Sequence, residues 1–523
     1  MDELERRAGA WHRLIWALVV LGAVLRVVRY AADRSLWGDE GALALNLIGK
    51  PLGDLLGALD FQQGAPTGFV VAEKAAVGVF GEGELALRLV PLLCGLAALP
   101  LFLLLVRRVL SPVGAVVAMA LFALSDPLVY YASEVKQYES DVMVATAMAL
   151  AAVAIDWRRV TWPSGVAIAI GGGLAGWLSH PALIVLAAVA AALLADALLE
   201  RGRELRVLVA LTAVWGASGI AALAVNRANA EDVAAAALES EGSGASRLQP
   251  VSDAWDTYGD VVGVANTATA LAAVASLAGF LAVWSRSRRV ALVLVAPLVL
   301  AVAVSLLGLY PSSSRFFLFL APFLVAFVGE GAAGLLRMLP ARPSGRLVGT
   351  AAVALLLLYP AAVAADNLLD PPGHEEVRTV LRHVDAGWRQ GDALFVWYQS
   401  QYPLRYYELC DDCEVLGPGV RSVLYPPDPF DAPGVSAAAT RAPSFYVSDP
   451  GSHALEALAG DLAPLVGKPR VWLLFSSTWD DGFVRQQLDC LGRRLDEARA
   501  PRAVAYLYDL SRAPARRSCL RAS

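Results

Sequence analysis

Long apolar runs separated by short charged stretches dominate the first 365 positions of the chain. The runs are roughly 20 residues long, which is the length of an α-helix that crosses a ~30 Å hydrocarbon core. The pattern therefore predicts an α-helical polytopic membrane protein with about eleven transmembrane helices. The predicted spans are residues 12–30, 84–106, 112–130, 140–156, 164–178, 181–199, 206–225, 261–284, 290–309, 314–336 and 346–364.

One further apolar stretch, residues 66–80, does not fit this series. As a helix it would be only about 22 Å long, and Glu73 and Lys74 at its centre would be costly in lipid. The leucines between residues 52 and 59 recur at helical spacing and form an amphipathic stripe. We therefore expect the whole segment 31–82 to be an outer loop that is partly helical and lies against the membrane.

The last part of the chain, residues 366–523, has a different pattern in which short β-rich runs alternate with helical stretches. The β-rich runs are residues 392–398, 470–477 and 502–510, and the helical stretches include residues 374–388 and 482–498. Such alternation predicts an α/β domain. We therefore divide the chain into a transmembrane domain, residues 1–365, and a C-terminal extracytoplasmic α/β domain, residues 366–523.

Basic residues cluster in every second connection between the predicted spans. Because cytoplasmic loops are enriched in Lys and Arg, this alternation predicts a cytoplasmic N-terminus and an extracytoplasmic C-terminus. The first span is followed by further spans and lacks a small-residue cleavage site, so we interpret it as a retained signal-anchor. Frequent Ala, Arg and Gly are typical of a high-GC bacterium, and the expected location is then the plasma (inner) membrane.

Composition agrees with this picture. The chain of 523 residues is 57% hydrophobic and 17% charged, with a mean hydropathy of +0.54, whereas soluble domains are roughly 45–50% apolar and ~25% charged. Four of the five cysteines lie in the C-terminal domain. An oxidising compartment permits structural disulfides there, and unpaired thiols or a redox or metal role stay open. Cys94, inside a span, is interpreted as a buried small side chain.

Two adjacent carboxylates, Asp39 and Glu40, follow the first span in the stretch LWGDEGAL. One interpretation is that they charge the first turn of an interfacial helix, where carboxylates interact favourably with the helix dipole. The other is catalysis at a membrane-embedded site. A partly desolvated carboxylate has a raised pKa and is a better base.

Other polar groups are placed by the topology at the same outer face. Lys136 and Tyr138 belong to the outer loop 130–141, His180 marks an outer turn, and Arg315 opens the tenth span. A solvated loop, a structural histidine and an arginine that reaches a lipid headgroup are the alternatives. Together these residues predict an outer-leaflet pocket that contains acids and cations, which suits a phosphate-bearing lipid.

The order of these motifs resembles that of the GT-C glycosyltransferases, in particular the protein O-mannosyltransferase-like branch, glycosyltransferase family 39. The similar stretches are the acidic pair after LW, APTGFV…FGEGELALRLV…RRV, ASEVKQYESD and SRFFLFLAPFLVAF. The resemblance covers about residues 30–365. It implies a polyprenyl-phosphate-linked sugar as donor and a hydroxyl of a glycan, lipid or protein as acceptor, within the membrane and without a nucleic-acid partner.

The resemblance also implies roles for individual residues. The family's first-loop acid corresponds to Asp39, which would act as general base in a single inverting displacement, with Glu40 orienting it or helping to bind substrate. The phosphate leaves as a stable anion, so no general acid is required. The residues expected to bind the donor phosphate are Lys136, Tyr138 and Arg315, and His180 is a substrate-pocket candidate.

The chain departs from the family in the interfacial segment. Some relatives carry Glu-Lys or His before two prolines, where this chain has Gln62, Gln63 and a single proline. We therefore assign no metal and no other cofactor, although a divalent metal stays open and His180 could take over part of that contact. The sugar and the acceptor are not readable from the sequence.

Two other functions compete with the glycosyltransferase interpretation. A lipid or solute transporter or flippase would place ionisable groups at the bilayer midplane, often in repeated halves. Here the charges lie at one face and no repeat is visible. A non-catalytic outer-face receptor would leave the elaborate first loop without a role. The sequence therefore favours surface chemistry.

Overall fold

The structure is a computed structural model. It describes residues 2–200, 202, 204–225, 248–263, 267–338, 343–371, 373–410, 412–421, 445–447, 462–476 and 481–511. Cys519 and most of the loop 226–260 lie outside these residues.

The helices of the first 369 residues follow one another with short connections. They are α1 (Asp2–Ala31), α2 (Gly38–Gly49), α3 (Thr67–Phe80), α4 (Leu89–Val109), α5 (Pro112–Leu124), α6 (Asp126–Tyr131), α7 (Tyr138–Ala154), α8 (Trp162–Leu178), α9 (Ala182–Leu199), α10 (Leu205–Val225), α11 (Gln249–Val262), α12 (Thr267–Arg286), α13 (Arg288–Leu306), α14 (Ala321–Met338) and α15 (Pro343–Leu369). A 3₁₀ segment, Ser314–Leu320, leads into α14, and short helical turns lie at Leu52–Leu55 and Glu84–Leu87.

Eight of the described helices are long and apolar enough to cross a membrane. They are α1, α4, α9, α10, α12, α13, α14 with the 3₁₀ segment before it, and α15. The three other predicted spans correspond to α5 with 13 residues and to α7 and α8 with 17 residues each, at or below the lower end of the roughly 17–25 residues of a spanning helix. The predicted helical membrane fold is confirmed.

The segment excluded from the spans forms α3, which is 14 residues long and is not one of these eight helices. Glu73 is fully buried inside the protein, and Lys74 donates a hydrogen bond to the carbonyl of Leu47 at 2.6 Å. The leucine stripe is helical only over Leu52–Leu55. The position of this loop relative to the membrane stays a prediction.

The ends of the helices carry two separate sets of polar contacts. At the end predicted to be cytoplasmic, the buried carboxylate of Glu330 pairs with Arg286 at 3.1 Å and Arg337 at 2.8 Å and accepts a hydrogen bond from the backbone of Ser111. At the other end lie the outer loop and the C-terminal domain. These contacts agree with the prediction that the arginine-rich connections lie at the same end of the helices. Which end faces the cytoplasm stays a prediction.

The C-terminal domain is a five-stranded sheet with helices. Its strands are β1 (Ala393–Val396), β2 (Phe445–Val447), β3 (Val471–Ser476), β4 (Arg493–Ala500) and β5 (Ala503–Asp509), and its helices include α16 (Val377–Gly387), α17 (Gln401–Leu409) and α18 (Asp481–Leu491). The strand order is β2-β1-β3-β5-β4, in which β1 is parallel to β2 and β3, and β5 is antiparallel to β3 and β4. The predicted α/β domain is confirmed.

One predicted helix is wrong in its second half. Residues 482–498 are helical only as far as Leu491, and the charged sequence that follows forms the edge strand β4. A side chain at Gly492 would lie 2.4 Å from the carbonyl oxygen of Asp509, so glycine allows the close approach where the chain turns. Charged residues are common on edge strands because they oppose further pairing, and here they imitate a helical pattern.

The disulfide interpretation is confirmed for Cys410 and Cys413, which are bonded to each other, and Cys490 is also disulfide-bonded. Cys94 is a buried free thiol, as expected. The outer loop and the C-terminal domain share one hydrophobic core, which includes Leu43 and Phe69 of the loop and Leu404 of α17. The helix that carries the acidic pair is therefore supported by the C-terminal domain.

Helices α2 and α17 approach each other closely at a glycine. A side chain at Gly41 would lie 2.8 Å from the backbone nitrogen of Pro403, whereas one at Gly53, in the same loop, would meet nothing within 4 Å. We predict that Gly41→Ala lowers the free energy of unfolding by about 1–3 kcal/mol through overpacking, measured by thermal unfolding in detergent. Gly53→Ala is the matched control, and equal stability of the two variants would contradict the shared core.

Candidate active site

The acidic pair lies in the first turn of α2. Asp39 accepts a hydrogen bond through Oδ2 from Nη1 of Arg315 at 2.7 Å, and each of the two side chains is 34% exposed. The structure therefore brings together two residues that are separated by 276 positions and were predicted to share a pocket. The helix dipole at this first turn also favours the carboxylate, so the two interpretations of the pair are compatible for Asp39.

Arg315 is positioned by the 3₁₀ segment before α14. Helix α11 reaches this segment through Thr257, whose hydroxyl donates a hydrogen bond to the carbonyl of Ser314 at 3.1 Å. Tyr138 is buried beside Arg315, with its ring 5.9 Å from that of Phe316 and 4.9 Å from that of Tyr131. The predicted phosphate-binding residues thus meet at the outer ends of α7 and α14.

Lys136 is almost completely buried and close enough to Asp39 to act on it electrostatically. Its ammonium donates a hydrogen bond to Oε1 of Gln63 at 2.6 Å. Gln63 is one of the two glutamines at which the chain departs from the family that it resembles in sequence, and the structure now gives this residue a partner. Lys136 is therefore fixed by a neutral group rather than by a carboxylate, and its charge acts on Asp39.

The electrostatics of Asp39 differ from the sequence-based expectation. Burial alone would raise its pKa, but the cations of Lys136 and Arg315 outweigh that effect and hold the pKa of this carboxyl below its ordinary value. Asp39 is therefore ionised at neutral pH. The raised pKa that we expected from desolvation is wrong for the protein without substrate.

Glu40 has different surroundings from its neighbour. It is fully buried, and its carboxylate accepts hydrogen bonds from Nε of Arg88 at 2.9 Å, from Nη2 of Arg88 at 2.6 Å and from the backbone N–H of Val135 at 2.8 Å. Because both oxygens are engaged inside the protein, the structure favours the orienting role of Glu40 over direct substrate contact.

A further carboxylate, that of Glu134, lies beside the Arg88–Glu40 ion pair. It accepts a hydrogen bond from Nε1 of Trp37 at 2.6 Å, and the Trp37 ring stacks on His374 of the segment that enters the C-terminal domain, with centroids 4.2 Å apart. Sequence reasoning did not single out Arg88, Trp37 or His374. Arg88 lies in the stretch FGEGELALRLV that resembles the glycosyltransferase family, and this was a usable signal. The stacking of Trp37 on His374 joins residues far apart in sequence, and no sequence signal indicates it.

His180 lies half-buried in the turn before α9, next to Ser179. Its role in a substrate pocket stays a prediction. Among the described residues, no three His, Cys, Asp or Glu side chains converge closely enough to hold a metal ion. The site therefore offers a carboxylate, two cations and a phenol for chemistry on an anionic substrate.

The buried Arg88–Glu40 pair generates a prediction about stability. Glu40→Ala leaves the Arg88 guanidinium buried without its carboxylate, and breaking such a pair costs about 3–5 kcal/mol. We expect a large loss of thermal stability in detergent. Asp54→Ala, which removes an exposed carboxylate from the same loop, should change little, and a stable Glu40→Ala protein would argue against an orienting role.

Glu134 generates a prediction about pH. Burial and the neighbouring Glu40 carboxylate raise the pKa of Glu134 to about 7. This pKa lies above the value of about 4.3 for a glutamate in the unfolded chain. The stability that Glu134 contributes through its proton is therefore fully present below a pH of about 4.3 and is lost as the pH rises through about 7. The melting temperature of the wild type should therefore fall as the pH rises through this window, and Glu134→Gln should make the melting temperature less dependent on pH. Asp54→Asn should keep the wild-type dependence.

Comparison with known proteins supports the fold. No protein-family model matches the chain, and no curated protein sequence matches it. The crystal structure of ArnT from Cupriavidus metallidurans bound to undecaprenyl phosphate is similar, with a TM-score of 0.52 and 14% identity over 96% of this chain and 99% of that chain. The apo structure of the same protein gives a TM-score of 0.51 over 98% of this chain and 100% of that one.

An oligosaccharyltransferase from Archaeoglobus fulgidus, solved with Zn and sulfate, matches at a TM-score of 0.45 and 14% identity over 74% of this chain. The match spans 61% of the length of that enzyme. The fold is therefore inferred from ArnT, whose whole length is matched. Family 39 stays a prediction, and the chain has the GT-C fold.

Proposed function

We propose that the protein is a membrane glycosyltransferase. It moves a sugar from a polyprenyl-phosphate-linked donor to an acceptor hydroxyl at the extracytoplasmic face of the plasma membrane, and the anomeric centre inverts. The observation that carries this proposal is the contact of Asp39 with Arg315 in the immediate field of Lys136. The ArnT structure with undecaprenyl phosphate, which shares the fold, supports a lipid phosphate as the anionic substrate.

In this mechanism Asp39 accepts the proton of the acceptor hydroxyl. The oxygen of that hydroxyl attacks the anomeric carbon, the bond from this carbon to the phosphate oxygen breaks, and the electron pair leaves with the phosphate. General base catalysis of this kind typically contributes 10²–10⁴-fold. The phosphate departs as a stable anion, so the protein has to stabilise negative charge rather than supply a second proton.

The cations hold that charge. Arg315 contacts Asp39 and Lys136 acts on the same carboxylate through its charge, so both cations are candidates to bind the phosphate oxygens. Fixed charges aimed at the leaving group stabilise the transition state. In the proposal Tyr138, whose ring packs against Phe316 next to Arg315, donates a hydrogen bond to the same phosphate. Glu40 fixes the first turn of α2 through Arg88, so it orients Asp39 without touching substrate.

Arg315 is shared between the base and the substrate. In the protein without donor its guanidinium is paired with Asp39, which keeps the pKa of that carboxyl low. A phosphate that binds Arg315 competes for the same guanidinium and partly removes this pairing. The pKa of Asp39 then rises toward that of a more effective base when the donor is in place.

Replacing the base tests the proposal. Asp39→Asn removes the proton acceptor with little change in shape, so transfer should fall by about 10²–10⁴-fold or more while folding is retained. The product is first identified by mass analysis of envelope glycans in a strain that lacks the protein. Transfer from polyprenyl-phosphate sugars into that product is then measured in membranes.

The matched control is Asp54→Asn, an exposed carboxylate in the same loop. It should transfer sugar at the wild-type rate. Near-wild-type transfer by Asp39→Asn would remove this residue from the mechanism, and unchanged envelope glycans in the deletion strain would remove the glycosyltransferase function itself.

A further inference from the structure

A cavity of about 570 Å³ lies beside Arg315 and is not used by the mechanism above. It is enclosed by α6, α11, the 3₁₀ segment and the outer part of α15, with Arg315 in its wall. Its volume is in the range of roughly 300–1,000 Å³ that small-molecule sites occupy. The cavity therefore adjoins the proposed phosphate position and has room for a further part of a substrate.

The lining has a definite chemical character. It combines aromatic rings with carboxylates, and Arg315 is the only cation among the described lining residues. The aromatic residues are Tyr130, Tyr131, Trp255 and Tyr359, and the acids are Asp126, Asp256 and Asp260. Such a mixture offers flat apolar faces and hydrogen-bond acceptors, but only one group that would attract an anion.

Two carboxylates of α11 line the cavity one turn apart, which carries a small energetic cost in the absence of a ligand. Asp256 and Asp260 are four residues apart on one helix, where like charges repel. Burial raises the pKa of Asp260, and Asp256 and Asp126 raise it further. A ligand that donates hydrogen bonds to these carboxylates would lower that cost.

The arrangement distinguishes among ligands. A cation held by three carboxylates is not favoured, because no three acidic, histidine or cysteine side chains of the described residues converge on one point. An isoprenoid chain would desolvate the carboxylates without hydrogen bonding to them, which is costly. A sugar ring donates hydrogen bonds from several separated hydroxyls, and its C–H face packs against the negative face of an aromatic ring.

We infer that this cavity is a subsite for a glycosyl group, with Trp255 as the stacking surface and Asp256 and Asp260 as acceptors for sugar hydroxyls. The inference depends on the proposed function and adds the position of one substrate to it. The glycosyl group comes from either of two sources, the sugar of the lipid-linked donor or a terminal sugar of a glycan acceptor, and the chemistry of recognition is the same for both.

The test measures binding to the full-length protein in nanodiscs. One arm compares the affinity for bare polyprenyl phosphate with that for its mannosyl and arabinofuranosyl derivatives. The other arm measures binding to an array of oligosaccharides without lipid. Both are repeated with Asp256→Asn/Asp260→Asn, which should weaken sugar recognition about tenfold or more, and with Trp255→Ala, which should weaken it about 2–10-fold.

Asp253→Asn is the matched control, because Asp253 lies on the same helix and is not among the residues that line the cavity. If the double variant no longer prefers the glycosylated lipid but binds the bare lipid with unchanged affinity, the cavity is assigned to the donor sugar. Loss of binding to the oligosaccharides assigns it to the acceptor. Either result supports the inference.

Other results overturn it. Equal weakening of bare and glycosylated lipid would show that the cavity holds the lipid phosphate or its chain. Unchanged sugar recognition in the variants, or none in the wild type in either arm, would show that no sugar binds there. Failure of the wild type to bind bare polyprenyl phosphate would instead remove the proposed function, so the two failures are distinguishable.

Discussion

The buried ion pair between Arg88 and Glu40 holds the outer end of the molecule together. One guanidinium binds both carboxylate oxygens of Glu40 and also donates to the carbonyl of Ser35, and Glu40 accepts from the backbone N–H of Val135. The end of the first span, the start of α2 and the loop that carries Lys136 therefore meet at one charge pair. Asp39 and Lys136 lie next to these anchored positions in sequence, so the pair fixes the backbone that carries both residues.

The C-terminal domain completes this arrangement. Tyr407 of α17 accepts a hydrogen bond from the backbone of Leu36, and Arg378 of α16 pairs with Asp33 and Glu84. The loop that carries the acidic pair is thus enclosed between the membrane helices and the sheet domain. Because a loop without buried contacts would sample many conformations, this enclosure and the shared apolar core explain how the loop presents the carboxylate of Asp39 in a fixed position.

Hydrophobic periodicity in the sequence predicts most helices and strands, whereas most contacts between distant side chains cannot be predicted from it. Apolar runs indicated the membrane helices, because period and length are local properties, and the same holds for β1, β3 and β5. The sidedness of the arginines was enough to place Asp39 and Arg315 at one end. The stacking of Trp37 on His374 and the partner of Lys136 depend on how separate segments pack, and no local pattern reports that. Strand β4 was missed because its charges imitate a helix.

In the mechanism proposed above, the low pKa of Asp39 in the protein without substrate reconciles two demands on a base in this position. Burial by itself would favour the protonated form of this carboxyl, whereas the two cations keep it ionised and ready to accept a proton. The same cations would make it a weak base if they stayed bound to it. In this proposal a donor phosphate competes for those cations, so donor binding moves their charge from stabilising the base to stabilising the leaving group. The free energy that holds the resting site together is thereby redirected to the transition state, where it accelerates the reaction.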